Sequence, residues 1–484
     1  MNTKERNTKL NTDILVLLRR AVASDYFPFF TAAVTLGCYY LSLDMVIIWY
    51  MAICGTFILL FTRDGTPLIT IFLFMNIMIS MRNSPTLAGG NDPSDYYFQP
   101  AVLAQIGVGV GVFAAAGVYR MVRAVSSGTF RCTPVFFGLY LFAAGIMFNG
   151  VFSQGYTPMN AVYGFFMAFM FLGVFVICSG SVAVNGDTYR RIALSFIALT
   201  ICLMIELAVA YLTYDNLWTE DGGIDRSALY FGWGMYNTMG MLFTISLPAA
   251  AYLACRSSRG WIFTIYLVLL EGCILVSMSR QAMLIGSFIF VVCALWILVK
   301  SAKKRAHLII FGAAALAAVG VLIVKRDIVV SVYEMLTNNF FSGSGRDGLY
   351  DEAWEKFKAN PVFGIGFYRD ISADPGFIGL PLMPDMYHNT VFELLAVGGL
   401  AAFVPYAVYR MQTIISFFKN PTEDRFFVGL VIASLLILSL LDNHIFYILP
   451  TLVYSFMMSV LVNSEADRPV RKRLSACRVA GHLK

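Results

Sequence analysis

Three side chains in this sequence combine a chemistry-bearing type with an unusual setting: Arg280, Arg346 and His388. Arg280 sits in Ser277-Met-Ser-Arg-Gln281, a tight turn between two long apolar runs. Arg346 follows Ser344-Gly345 at the expected start of a helix, where unpaired backbone N–H groups and the helix dipole favour an anion. His388, in Tyr387-His388-Asn389, stands where a long polar segment gives way to the next apolar run. Two guanidinium groups suit a site that must hold phosphate oxygens. A histidine that is neutral near pH 7 accepts a proton from a hydroxyl. Each residue also has a plainer reading. Interfacial arginines anchor helices by snorkelling, an arginine at a helix start pairs with a neighbouring acid, and a lone histidine is commonly structural.

The surrounding residues set the local expectations. Ser344 with Asp347 reads as a capping box, and Leu349, Ala353, Trp354 and Phe357 then form an apolar stripe at helical spacing, most simply a packing face. Tyr350 on the same helix is counted as a supporting residue. Asn360-Pro361 ends that helix and opens Asn360-Pro-Val-Phe-Gly-Ile-Gly-Phe367, whose Gly364 and Gly366 let the backbone pass close to another surface. Glu393 follows Asn389 near the start of the next apolar run, and both are placed in the candidate site as supporting residues. Two other acids, Glu206 and Glu271, lie within apolar runs and read as isolated helix-packing partners rather than a proton relay. His307 and His482 belong to basic segments. His444, in Leu441-Asp-Asn-His-Ile445, is the competitor to His388. No Cys or His/Asp/Glu cluster has metal-ligand spacing, so no metal or cofactor is expected.

The elements that must position these residues are helices in a membrane. The chain is 58% hydrophobic and 13% charged with a mean hydropathy of +0.71, far from the roughly 25% charge of soluble domains. Fourteen apolar intervals are separated by short polar punctuation: 27–43, 45–62, 67–81, 100–119, 133–152, 160–178, 192–212, 235–255, 261–279, 282–299, 307–324, 389–409, 426–442 and 446–463. With a cytoplasmic N-terminus, the inner segments collect 26 of the 35 lysines and arginines, which is the positive-inside pattern. The expected organisation is a cytoplasmic segment 1–26, spans over 27–324, a large outer loop 325–388, spans over 389–463 and a basic cytoplasmic tail 464–484. That loop is acidic overall, with six Lys/Arg against nine Asp/Glu. An arginine at a helix start within it is therefore better explained by a specific contact than by bulk attraction. The nine cysteines all fall in spans or inner segments and suggest no disulfide framework. No basic domain supports nucleic-acid binding.

In this order and placement, Ser279-Arg280, Gly345-Arg346 with its aromatic helix, Asn360-Pro361-x-x-Gly364-x-Gly366, and His388-Asn389 with Glu393 and Gly398-Gly399 resemble the O-antigen ligase/polymerase family of bacterial envelope glycosyltransferases. The resemblance covers roughly residues 260–410. It implies an all-α, GT-C-like polytopic fold of about fourteen transmembrane helices, with a large periplasmic loop between spans 11 and 12, in the bacterial inner membrane. It also implies glycan transfer from an undecaprenyl-diphosphate-linked oligosaccharide to a glycan acceptor, with inversion and without a metal. Arg280 and Arg346 would hold the diphosphate, His388 would be the general base, and a chain-length regulator is a possible partner. Ligases of the family carry Gly, Thr or Tyr three residues after the glycine that occupies position 399 here, and this chain has Ala402. The expectation is therefore a polymerase, with a ligase as the alternative. A lipid-linked glycan transporter is a second alternative, which would need an alternating cavity lined by midplane polar groups.

Overall fold

A computed structural model describes the chain except residues 1–2, 81–99, 129, 131, 155, 157, 215–216, 219–223, 226–227, 232–233, 325–345, 371–381, 385–386, 420 and 467–484. Its helices are α1 (Thr3–Val22), α2 (Phe27–Tyr40), α3 (Asp44–Phe61), α4 (Leu68–Ser80), α5 (Pro100–Ser126), α6 (Pro134–Phe152), α7 (158–179) and α8 (Thr188–Thr213). They continue as α9 (Tyr236–Arg256), α10 (Gly260–Val276), α11 (Arg280–Lys300), α12 (Lys304–Val324), α13 (Arg346–Ala359), α14 (Thr390–Lys419), α15 (Glu423–Leu438) and α16 (Ile448–Ala466). The architecture is all-α as expected, with two short antiparallel pairs beside the helices: β1 (Tyr230–Phe231) with β2 (Gly234–Met235), and β3 (Tyr368–Asp370) with β4 (Leu382–Pro384). Both lie in the segments expected outside the membrane.

Each of the fourteen apolar intervals coincides with a described helix. Among the described residues nine helices are long and apolar enough to cross a membrane, so the protein is polytopic. A 21-residue helix such as α11 rises about 31 Å, close to the ~30 Å hydrocarbon core. The most enclosed is α9, with 89% of its apolar window buried, packed among α8, α10, α11 and α15. Its small residues, among them Ala249, Ala250 and Ala251, are fully covered, and close helix approach in a membrane relies on such side chains. By contrast α12 is only 6% buried and stands at the periphery.

The charges show one correction to the expected boundaries. The span expected over 389–409 continues to Lys419, so Arg410, expected on the cytoplasmic side, lies inside a helix. Its guanidinium carbon is 4.4, 4.9 and 4.8 Å from the ring centroids of Tyr406, Tyr409 and Tyr454, and it donates to the Tyr454 hydroxyl. Arg425 is buried, donating to the carbonyls of Leu461 and Ser416. The other basic clusters pair at the end of the bundle opposite Arg280: Arg190 with Asp25, Arg191 with Asp64, and Arg256 with Asp424 and Glu423.

The feature that most directly shapes the region around His388 is a break in α14. Residues Leu394–Gly398 form a π-turn and Gly399 follows with φ +58°. A break of this kind strips carbonyls and N–H groups of their helical partners, and these must be satisfied elsewhere. The segment 360–366 does so. The Ile365 and Gly366 N–H groups donate to the carbonyls of Ala396 and Val397, while those of Leu400 and Ala401 donate to Pro361 and Val362, at 2.9–3.1 Å. Gly364 is at φ +66°, and a Cβ there would stand 2.5 Å from the Val397 carbonyl carbon. A Cβ on Gly399 would meet the Val362 oxygen at 2.4 Å. The Asn149 amide of α6 donates to the carbonyls of Phe363 and Val397, fastening both strands of the junction to the first half of the chain.

Candidate functional site

The site grows from the same helix start. Asn389 caps α14, its Oδ1 accepting from the N–H groups of Val391 and Phe392 at 2.8 and 3.4 Å. Its amide donates to the Leu440 carbonyl at 2.9 Å. Thr390 donates through both its backbone N–H and its hydroxyl to the Ser439 carbonyl. The entry to α14 is thereby fastened to the turn that joins α15 to α16.

This fastening places His388 against Asp442. The imidazole Nδ1 is 2.9 Å from the Asp442 carboxylate. The Asp442 side chain is 8% exposed and that of His388 33%, so the acid is enclosed and the ring reaches the surface. With Nδ1–H donated to the carboxylate, the lone pair lies on Nε2 at the far edge of the ring. A histidine whose tautomer is fixed by a buried acid is arranged to take a proton from a hydroxyl and to be stabilised once charged. His388 has φ +49°, a left-handed conformation that costs a non-glycine residue about 1–2 kcal/mol. The Asn389 cap and the Asp442 bond hold it there.

Glu393 is 2% exposed. Its carboxylate accepts from the Tyr387 N–H at 2.9 Å and from the Asn443 amide at 2.6 Å. It thus ties the residue before His388 to the residue after Asp442. The other two acids remain apart from this group: Glu271 accepts from the Ser287 hydroxyl, and Glu206 is buried in α8.

The helix start that carries Arg280 meets the same turn through Gln281. Arg280 is the first residue of α11 and half-buried, and Gln281 beside it is 7% exposed. The Gln281 amide nitrogen is 2.9 Å from Nε2 of His444. His444, the competing histidine, is only 2% exposed and is occupied by this contact. It belongs to the site's framework, while His388 faces outward.

The loop helix α13 lies over this assembly. Tyr350 stacks on Phe392 with ring centroids 4.6 Å apart and planes within 8°, and Ala353 is buried. The packing face is Leu349, Tyr350 and Ala353, whereas Trp354 is 46% exposed. The stripe expected from the sequence is therefore rotated by part of a turn. Arg346 is the first residue of α13, which puts its backbone at the helix start as expected. The Ser344 half of the capping box lies outside the described residues. Gly364 and Gly366 serve the helix break, with their N–H groups donated to the carbonyls of Asn360 and Val397. The surface to which they give close access is the backbone of α14 itself.

The arrangement joins His388, Asn389, Glu393 and Gln281, the neighbour of Arg280, around the turn 440–444, with Tyr350 stacked on Phe392 beside them. Asp442 is the partner that the sequence reading missed. Its signal was the run Asp-Asn-His in a turn between two apolar intervals, a costly place for three polar side chains without a task. The described residues contain no group of three or more His, Cys, Asp or Glu able to hold a metal ion, and their eight cysteines are all free.

Residues 265–407 match the family model described as O-antigen ligase. Over these residues the chain is similar to the O-antigen ligase family. The matched region spans most of α10 through the first part of α14, and so includes Arg280, Arg346, the 360–366 segment, His388 and Glu393. Asp442 and His444 lie beyond its C-terminal limit. The similarity supports glycan transfer by a membrane-embedded protein at the level of the family, and the match does not distinguish polymerase from ligase. A search of curated proteins finds no match.

Proposed function

We propose that the protein is an inner-membrane polymerase that joins polyprenyl-diphosphate-linked oligosaccharide repeat units into a surface polysaccharide. The observation that carries this reading is the His388–Asp442 pair, held at the seam between loop helix and membrane helices, with Gln281, the neighbour of Arg280, in contact with the same turn. Nε2 of His388 takes the proton from the acceptor hydroxyl as its oxygen attacks the anomeric carbon. The bond from that carbon to the diphosphate oxygen breaks, and its electron pair leaves with the diphosphate. Attack from the face opposite the leaving group inverts the anomeric centre. Asp442 stabilises the imidazolium that forms. Arg280 and Arg346 stabilise the charge building on the diphosphate, the task that a metal performs in other sites. The prenyl tail stays in the bilayer, which accounts for a site at the membrane's periplasmic edge.

The polymerase form of the reading draws on Ala402. It is buried where a Cβ on Gly398 would meet its own Cβ at 2.6 Å, and a Cβ on Gly145 its Cα at 3.2 Å. Family ligases carry Gly, Thr or Tyr at this position, and the enclosed alanine departs from that pattern. The test is the product formed in cells that lack the wild-type copy. His388→Ala and Arg280→Ala should abolish long chains while single lipid-linked units accumulate. A normal chain-length ladder in either variant removes the role given to that residue. Loss of polymer transfer to lipid A-core, with the ladder intact on its lipid carrier, would instead identify a ligase.

A further inference from the structure

Three consecutive residues in the α15–α16 turn each hold a different element. Asp442 bonds His388 ahead of α14, Asn443 bonds Glu393 inside α14, and His444 contacts Gln281 at the start of α11. The N-cap residue of α11, Ser279, makes no capping bond and its hydroxyl donates to Asn237 instead. Met278, in the preceding turn, has φ +58°. Gln281 and His444 are both more than nine-tenths buried, so water competes poorly for their contact. Gln281 Nε2–H donated to the His444 Nε2 lone pair requires the neutral ring with its proton on Nδ1.

We propose that His444 is a positioning residue that sets Arg280 relative to the His388–Asp442 pair, acting through Gln281. The inference rests on the reading that Arg280 contacts the diphosphate. Under it, the turn 442–444 works as a spacer: residue 442 orients the proton acceptor, and residue 444 places the cation that meets the leaving group. Positioning of this kind matters because displacements near 1 Å are enough to reduce rates substantially.

The test uses full-length protein in nanodiscs, with polyprenyl diphosphate as the binding probe and a thermal unfolding curve for every variant. His444→Ala and Gln281→Ala should each weaken diphosphate binding by about tenfold, and the double variant should be no worse than either single one. On an Arg280→Ala background, His444→Ala should cause no further loss, a dependence that a merely structural role would not produce. His444→Gln, which retains a side chain able to pair with Gln281, should recover most of the affinity and guards against a folding failure in the alanine variant. Wild-type affinity in His444→Ala, or additive losses with Arg280→Ala, overturns the link while leaving the proposed reaction standing. Unchanged affinity in Arg280→Ala overturns both.

Discussion

The polar clusters around Arg410 and around the turn 442–444 are built in opposite ways. Around Arg410, one cation is enclosed by three tyrosine rings on α14 and α16, and Tyr454 donates to Tyr409 at 2.5 Å. Tyr409 and Tyr454 are buried there, as are Nε and Nη2 of the guanidinium. Around the turn 442–444, the framework residues are buried but the bond network ends on a histidine that is one-third exposed. The first cluster joins helices. The second holds one reactive group at a surface and keeps its supports away from water. A buried charge in a membrane protein is therefore better judged by where its network ends than by the charge itself.

That distinction predicts which substitutions separate activity from stability. Asp442→Asn should reduce turnover by about 100-fold or more, the scale of a general base, while the unfolding curve in detergent stays close to wild type. A matching fall in stability would mean that the pair is a clamp like the one at Arg410. Arg410→Ala should do the reverse, removing several cation–π contacts worth about 2 kcal/mol or more when desolvated. Its readout is the fraction of monodisperse protein surviving a heat step, and full survival would deny the cage a structural role. Gly399→Ala tests the seam's scaffold. Alanine at φ +58°, ψ −166°, a conformation essentially reserved for glycine, costs about 1–3 kcal/mol, and the approach to the Val362 oxygen adds to this, so stability and activity should fall together. The smallest effect belongs to Tyr350→Ala, which removes one stacked ring pair worth about 0.5–1.5 kcal/mol. It should loosen α13, seen as faster proteolysis there, with turnover reduced only a few-fold.

Much of this was legible in the sequence because hydropathy is a local property. The apolar intervals coincide with helices, and the glycines at 364 and 366 signalled a close backbone approach. What a linear reading lacked was pairing across distance. Asp442 is 54 residues from His388, and nothing in either neighbourhood specifies the other. Arg410 was misassigned because a hydropathy profile treats a guanidinium as a span boundary, whereas three tyrosines can retain it inside. Trp354 was assigned to the packing face because aromatic residues usually bury there, but the pairing of Tyr350 with Phe392 fixes a different rotation for α13. The partner of the 360–366 segment was likewise unreadable, since a helix that breaks at Gly399 looks continuous in an apolar profile.

That break also orders events during synthesis. Residues 360–366 emerge from the ribosome ahead of 394–401, and on the proposed topology they have already crossed the membrane when α14 begins to insert. They are also held by Asn149 and Gln154, made earlier still. On that topology the carbonyls and N–H groups freed by the π-turn find their partners in a segment made before them. Biogenesis of the last third of this protein is in that sense a templated step, and a chain severed between the segment and α14 would have to recover by diffusion what the intact chain receives in sequence.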